Sequence, residues 1–367
     1  MRVALVIERF EPHGGGVEAV AWNLAGALAA QGADVHVVAR RAAPHPTATL
    51  HPVRVPTFWQ PLRVLAFSRA AAGAAAAAGV DVVHSFSRTR HQDVFRAGGG
   101  SHADYLERSH GPVGRRLRRI SPRHAVLLSM ERAVFGDPSQ TIQCNSAMVR
   151  DELACRYGLP ASRLVVIPNG VDLERFHPER HRDARARLRG ERAAGDEPVW
   201  LFAGSGFRRK GLEVALRALA LSGSAGQLWV AGRDDVAPWQ RRAVDLGVAE
   251  RVHFLGVRND LECVYAAADA LLLPTRYDAF ANVCLEALAS GLPVVTSAAN
   301  GAADTVADAG FVVEDAEDAP GFAKALGRLL EPATRSAAAA RARPIAERHG
   351  WDDCAKALLA LYAGLSS

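Results

Sequence analysis

Short runs of consecutive apolar residues recur along the chain, each bounded by polar or glycine-bearing turns and followed by a segment whose apolar positions repeat at helical spacing. In the first half these runs are RVALVI from Arg2, DVHVVAR from Asp34, DVVHSFS from Asp81, DVFRAG from Asp93, QTIQCN from Gln140 and LVVIPNG from Leu164. Strands apolar on both faces suit a parallel sheet covered by helices on either side, so the alternation predicts an α/β domain. Between the first two runs Val17, Val20, Ala21, Leu24 and Leu28 recur at helical intervals and Gly32 supplies the stop, which predicts a helix over 17–31. The second half repeats the scheme with VWLFAG from Val199, QLWVAG from Gln227, RVHFLG from Arg251, ALLLP from Ala270, PVVTS from Pro293 and GFVVE from Gly310. Two α/β domains are therefore expected, over 1–168 and 169–350, with the joint between Asn169 and Pro198. A last amphipathic segment, 351–367, either completes the second domain or crosses back to the first. The charged stretch from Glu179 to Pro198 is the one expected to be least ordered.

A chain of 367 residues that is 49% hydrophobic has material for two cores. No apolar run approaches the roughly 18 residues that span a bilayer, and the start turns charged at Glu8 before a secretory apolar core forms, so neither a span nor a leader is expected. Cys144, Cys155, Cys263, Cys284 and Cys354 are scattered and never form C-x-x-C, which reads as reduced cytoplasmic thiols. The net charge of +5 is unevenly spread. Arg108, Arg115, Arg116, Arg118, Arg119, Arg123 and Arg132 face only Glu131, with Val113, Leu117, Ile120, Val126, Leu127 and Leu128 interleaved. A basic amphipathic element of this kind suits an anionic membrane surface, with Arg115, Arg116, Arg118, Arg119 and Arg123 as its contacts; a solvated helical face or a phosphate patch is the other reading. Nucleic acid is not expected, because no recognised binding motif accompanies the patch.

Three places carry chemistry. GGGVEAV (Gly14 to Val20) opens the first helix, so its backbone amides face an anion or polar ligand at the positive helix end. Gly14, Gly16 and Ala19 formally fit G-x-G-x-x-A, the dinucleotide fingerprint. However, ERFEPH intervenes after the strand, and Arg40 stands where an acid is expected at the end of strand two, a change that only an NADP site would tolerate. In the second half Gly204, Ser205 and Gly206 turn the chain and place Arg208, Arg209 and Lys210 at a helix start, where cations oppose the dipole unless an anionic ligand lies beside them. The Walker pattern is missing. Finally, DAFAN turns into the helix VCLEALASG, so amides around Phe280 to Val283 form a second anion cradle across from Lys210. Asp278, and Glu286 about two turns further on a stripe with Val283, Ala287 and Ser290, are acids too costly to bury alone. Both are placed to accept from hydroxyls. Diols at the two ends of a diphosphate describe a nucleotide sugar.

At these residues the chain resembles the retaining family 4 glycosyltransferases, whose hallmark is two acids separated by seven residues. The resemblance covers nearly the whole chain: GGGVEAVAWNLAGAL, DVVH, GGGSH, IPNGVD, GSGFRRKG, VHFLGVRND and YDAFANVCLEALASGLPVV, in family order. It implies the GT-B fold, two Rossmann-like parallel-sheet domains facing a central cleft, with acceptor binding in the first and the nucleotide sugar in the second. Within the family the match is to bacterial lipopolysaccharide core glucosyltransferases, which implies UDP-glucose as donor, a lipopolysaccharide core or related glycolipid as acceptor, and a peripheral place on the inner face of the cell membrane. By the same resemblance Glu286 holds the ribose and Asp278 the donor sugar. Arg209 and Lys210 neutralise the diphosphate beside Ser205 and Gly206, and the segment Ala279, Phe280, Ala281, Asn282 and Val283 supplies amides. The base rests against Val257 and Arg258. Gly15 and Gly16 approach the donor or acceptor from the first domain, and His102 lies beside the transferred sugar, while His84 is architectural. Two positions depart from the family: its first acid is usually Glu where this chain has Asp278, and its cradle Gly is here Ala281.

No carboxylate nucleophile is evident, so retention implies front-face transfer, with charge stabilisation of the leaving diphosphate dominant. No two Asp residues are separated by a single position, so a D-x-D metal site is not expected and neither metal nor cofactor is required. A nucleotide-sugar epimerase of the same fold and a non-catalytic carbohydrate or lipid-surface binding protein are the alternatives. The base, sugar, acceptor, linkage and oligomeric state are not encoded legibly.

Overall fold

Strand formation follows the apolar runs. The computed structural model describes residues 1–12, 14–109, 121–223 and 226–365. It divides into two units, Met1–Gly170 together with Trp351–Ser367, and Val171–Gly350. In unit 1, strands β1 (Arg2–Phe10), β2 (Asp34–Ala42), β3 (Ala48–Pro52), β4 (Val82–Ser85), β5 (Val94–Arg96), β6 (Thr141–Cys144) and β7 (Leu164–Val166) form a parallel sheet in the order β3-β2-β1-β4-β5-β6-β7. Its helices are α1 (Gly16–Ala30), α2 (Gln60–Ala78), α3 (His102–Ser109), α4 (Pro122–Gly136) and α5 (Ala147–Tyr157). The strand period of two divides the core. Val3, Leu5, Ile7, Val35 and Val37 pack with Val20, Leu24 and Leu28 of α1, while Ala4, Val6 and Val38 pack with Phe67, Ala71 and Ala75 of α2 on the other face. Val17, expected on the core side of α1, is instead exposed.

Edge strand β3 was not expected. Every residue in it is at least partly exposed, so it carries no apolar run, and its extended form comes from its ladder with β2.

The last helix of the chain, numbered α15 below (Trp351–Leu365), belongs to unit 1 and packs on α1. Its Tyr362 Oη lies 2.6 Å from His84 Nδ1 on β4, with both side chains buried. Gly170 is required at the crossing, because a Cβ there would fall 2.8 Å from the Trp351 Cα.

Unit 2 contains β8 (Val199–Ala203), β9 (Gln227–Ala231), β10 (Val252–Gly256), β11 (Ala270–Leu273), β12 (Val294–Ser297) and β13 (Gly310–Val313), a parallel sheet in the order β10-β9-β8-β11-β12-β13. Its helices are α6 (Arg182–Gly190), α7 (Phe207–Lys210), α8 (Leu212–Leu221), α9 (Ala237–Asp245), α10 (Leu261–Ala267), α11 (Asn282–Ala289), α12 (Ala303–Val306), α13 (Ala319–Leu330) and α14 (Pro332–Glu347), after which α15 follows. The 179–198 stretch, expected to be least ordered, contains α6. Arg185 and Arg189 both reach Asp269, at 2.7 and 3.1 Å, and Arg189 also donates to the carbonyls of Gly195, Ala267 and Glu197. Composition misled here because guanidinium forks found acceptors at the end of the sheet. In each unit the strand order reverses once, between β1 and β4 and between β8 and β11. Crevices beyond the carboxyl ends of strands at such reversals are where α/β sheets bind ligands.

Candidate active site

The loops after β8 and β11 flank the reversal in unit 2 and are tied to each other. Arg276 N–H donates to the Arg209 carbonyl at 2.9 Å. Gly211, at φ 82°, lies so close to the second loop that a Cβ would sit 1.8 Å from the Pro274 carbonyl oxygen, so only glycine fits. The single turn α7 is anchored at its start by Asp234, whose Oδ2 accepts from Phe207 N–H at 2.7 Å, while Ser205 Oγ accepts from Arg233 N–H at 3.1 Å. The three cations occupy the single turn of α7, which runs through Gly211 into α8. The first amide of that turn is met by Asp234.

Arg209 and Lys210 converge on one carboxylate. Lys210 Nζ donates to Asp278 Oδ2 at 2.5 Å, and Arg209 Nη1 donates to the same oxygen and to the Tyr277 carbonyl, each at 2.9 Å. Burial pushes the Asp278 carboxyl upward, but Lys210 and Arg209 outweigh it and hold it below the ordinary carboxylate value. The backbone of Asp278 is fixed as well, donating to Ala299 O at 3.1 Å and accepting from Gly301 N–H at 2.8 Å. With its backbone fixed in this way, the Asp278 side chain reaches both cations.

Helix α11 presents the second acid. Asn282, Val283 and Glu286 are its partly exposed residues, at spacings that share one face, whereas Cys284, Leu285, Ala287 and Leu288 are buried. Glu286 thus belongs to the open face rather than the core-facing stripe with Ala287 and Ser290. Its Oε2 accepts from Tyr265 Oη at 2.9 Å. Burial raises its carboxyl above the ordinary value, against the Tyr265 hydrogen bond and the charges of Arg175 and Lys210. Lys210 thus lies within electrostatic reach of Glu286 as well as in contact with Asp278.

Part of the expected amide cradle is already engaged. The Ala281 N–H donates to Asn300 Oδ1 at 3.2 Å and the residue is buried, so this amide is not available to a diphosphate. Asn300 also accepts from Ala302 N–H and donates to Thr296 Oγ1 at 3.0 Å, pinning the entry to α11. Ala281 has φ −78° and ψ 102°, an ordinary extended conformation, so glycine is not required there. Ala279 and Phe280 are buried, and Ser205 and Gly206 are exposed. Past β10, Val257 is exposed and Arg258 donates to Asp260 at 2.6 Å.

The remaining expected residues are in unit 1. Gly15 and Gly16 are exposed at the start of α1, where Glu18 accepts from Arg9 at 2.7 Å. His102 begins α3 and is nearly buried; its ring Nε2 lies 2.9 Å from His124 Nδ1 with the rings stacked. Burial and the Arg88 charge lower its pKa to about 4, so it is neutral near pH 7. The turn is held by buried Glu131 on α4, which accepts from His102 N–H at 2.6 Å, Ser101 Oγ at 3.1 Å and Tyr157 Oη at 2.5 Å. Sequence reasoning missed Glu131, His124 and Asp234. Glu131 had one signal, as the lone acid in an arginine-rich stretch. Arg123 is exposed on α4, while Arg115, Arg116, Arg118 and Arg119 lie outside the described residues. Among the described residues no three His, Cys, Asp or Glu side chains group as metal ligands, and no helix is long and apolar enough to cross a membrane.

Comparison with known proteins bears on the family and the fold. The model for Glycosyltransferase Family 4 matches residues 14–175, and that for Glycosyl transferases group 1 matches 197–332. A D-inositol 3-phosphate glycosyltransferase from Xylanimonas cellulosilytica is 34% identical over 63% of this chain and 59% of its own length. The lipopolysaccharide glucosyltransferase WaaG of Escherichia coli is 30% identical over 62% of each chain. These matches thus span about three fifths of the length of the curated relatives. A crystal structure of WaaG, a glycosyltransferase involved in lipopolysaccharide biosynthesis, superposes with a TM-score of 0.84 at 26% identity, over 99% of this chain and 100% of that one. On these matches the chain belongs to the family 4 glycosyltransferases and has their two-domain GT-B fold.

Proposed function

We propose that the protein is a retaining, metal-independent hexosyltransferase that moves a hexose from a nucleotide diphosphate sugar, UDP-glucose first, to a lipopolysaccharide core or related glycolipid. The observation that carries this reading is the meeting of Arg209 and Lys210 on Asp278 at the strand reversal of unit 2, with Glu286 on the open face of the next helix. Two cations on one carboxylate oxygen leave positive charge to spare. A diphosphate entering here takes up Arg209 and Lys210, with the amides of Asn282 and Val283 beside it, and frees Asp278 to accept from the sugar hydroxyls. Glu286 accepts from the ribose, and Val257 and Arg258 border the base. As the glycosidic bond loosens, negative charge grows on the leaving phosphate, where the two cations stabilise it most. The acceptor hydroxyl enters on the same face and passes its proton to that phosphate. Gly15 and Gly16 serve the donor phosphate or the acceptor, and His102 serves the transferred sugar as a neutral hydrogen-bonding group. Arg123 and its neighbours in sequence bring the protein to the anionic inner face of the membrane.

Thermal-shift titration with UDP-, GDP- and ADP-glucose tests the donor, with UDP-glucose expected to give the largest response. Lys210→Ala should fold and lose at least a hundredfold in turnover, since one preorganised charge donor is worth about 3 to 4 kcal/mol in the transition state. Activity should survive chelator. Unchanged turnover in Lys210→Ala would remove the phosphate assignment.

A further inference from the structure

Tyr265 on α10 is a fully buried side chain whose hydroxyl the packing of the core does not explain, since phenylalanine would fill the same space. Its ring meets that of Phe176 edge-on at 5.7 Å between centroids, and the Arg175 guanidinium lies over the Phe176 ring at 5.1 Å. Arg175 is held in turn, donating to Glu262 at 2.8 Å and to the Asn259 carbonyl at 2.9 Å. The ring is thus packed in place, and a buried hydroxyl must find an acceptor. Two are in reach, Glu286 Oε2 at 2.9 Å and the Val283 carbonyl at 3.2 Å. A phenol has one proton to give. Val283 lies in α11, where a helix carbonyl is served by the amide four residues on, so the proton is free for the carboxylate. The groups that face Glu286 are Tyr265 and Glu262 of α10, Arg175, Lys210 of α7 and Cys284 of its own helix. Among the described residues only Tyr265 is hydrogen-bonded to its carboxylate.

From this arrangement we infer that Tyr265 is a positioning residue for nucleotide binding, its hydroxyl fixing the Glu286 carboxylate for the ligand's vicinal diol at the open face of α11. A glutamate on a half-open helix face otherwise samples several rotamers, and a ligand that needs one of them must order it on binding. With Oε2 tied to Tyr265, that ordering is complete before the ligand arrives. The same bond favours the ionised carboxylate, the form that accepts from hydroxyls, against the burial that raises it. That the diol is a ribose rests on the glycosyl-transfer reading above; the hold of Tyr265 on Glu286 does not.

The test titrates UDP against the full chain, native and carrying Tyr265→Phe, Glu286→Ala or both. Tyr265→Phe should fold and should weaken UDP about three- to tenfold at pH 7, the cost of ordering one freed side chain on binding. In the Glu286→Ala background the same change should have no further effect, because the two residues act as one unit. The Glu286 carboxyl, followed by carbon-13 NMR with no nucleotide present, should titrate at a higher pH in Tyr265→Phe than in the native protein, since a bond that favours ionisation has gone. The decline of UDP affinity on acidification should move to higher pH with it. An unmoved titration, or UDP affinity equal to that of the native protein, overturns the proposal. So does an equal loss of affinity in the Glu286→Ala background, or a Tyr265→Phe chain that does not fold, since either would make the hydroxyl a group of the core alone. A native protein that binds no UDP while its Glu286 titration still moves with Tyr265→Phe counts against the nucleotide-sugar reading and leaves the hold of Tyr265 on Glu286 standing.

Discussion

At the scale of single residues, Asp278 is the group whose environment is most specific. With its carboxylate gone, Arg209 and Lys210 would face each other without an acid, and removing one partner of a largely buried ion pair costs about 3 kcal/mol or more. Asp278→Asn should therefore melt earlier than the native protein and be rescued by UDP or pyrophosphate, which resupplies the missing negative charge; a variant whose melting ignores both would argue against a diphosphate site. The pH dependence carries the same signature. A carboxyl held below its ordinary value stabilises the fold above the unfolded value of 3.8 and loses that contribution as pH falls through the lower folded value. Glu286 has the opposite sign. Burial raises it, so it takes up a proton at a higher pH than an ordinary glutamate and ceases to accept from a ribose diol there. UDP affinity should decline on acidification from above pH 4.5, and Glu286→Gln should bind more weakly at neutral pH but lose that decline.

Among elements, the short helix α7 shows how a sequence motif becomes a site. Four residues cannot sustain a helix alone; Asp234 holds the first amide, and Gly211 lets the chain pass within contact of Pro274. Asp234→Ala should cost about 1 kcal/mol of stability, a normal loss for a capping group, yet lower turnover more than that suggests by releasing Arg209 and Lys210. Asp234→Asn, which keeps an acceptor oxygen, should recover most of the rate. The motif GSGFRRKG was legible in the sequence, but Asp234 was not, because it lies on the loop of the next strand and only the β8–β9 pairing brings it to α7. Glu131 is the counterpart in unit 1, a helix residue some thirty positions from the turn it holds.

For the whole molecule, α15 ties the end of the chain into the first unit. Tyr362→Phe removes the buried contact with His84 and should cost about 1 kcal/mol, with the loss of protection from hydrogen exchange concentrated in α15 and β4. Burial lowers the pKa of His84 to about 3 and that of His102 to about 4. Both are neutral in the folded state and titrate near 6.5 when unfolded, so the stability they lend is complete above pH 6.5 and drains away as pH falls toward 4 and below. The melting temperature of the native protein should drop steeply over that window, and His84→Gln with His102→Gln should flatten the slope; an unaltered slope would show that other groups govern acid unfolding.

The sequence by itself determined the two parallel sheets, since twelve apolar runs each became a strand; it drew attention to Asp278 and Glu286, because a charge inside an apolar pattern is visible without coordinates, and to Arg209 and Lys210 as cations just after a glycine turn. Tertiary structure decided what a local pattern does not contain. It made β3 a strand by pairing alone and turned a charged stretch into a helix anchored on Asp269. It also gave the Ala281 amide to Asn300. Each outcome depends on which distant group arrives within hydrogen-bonding distance. The order of the strands sets that, and the spacing of residues along the chain does not.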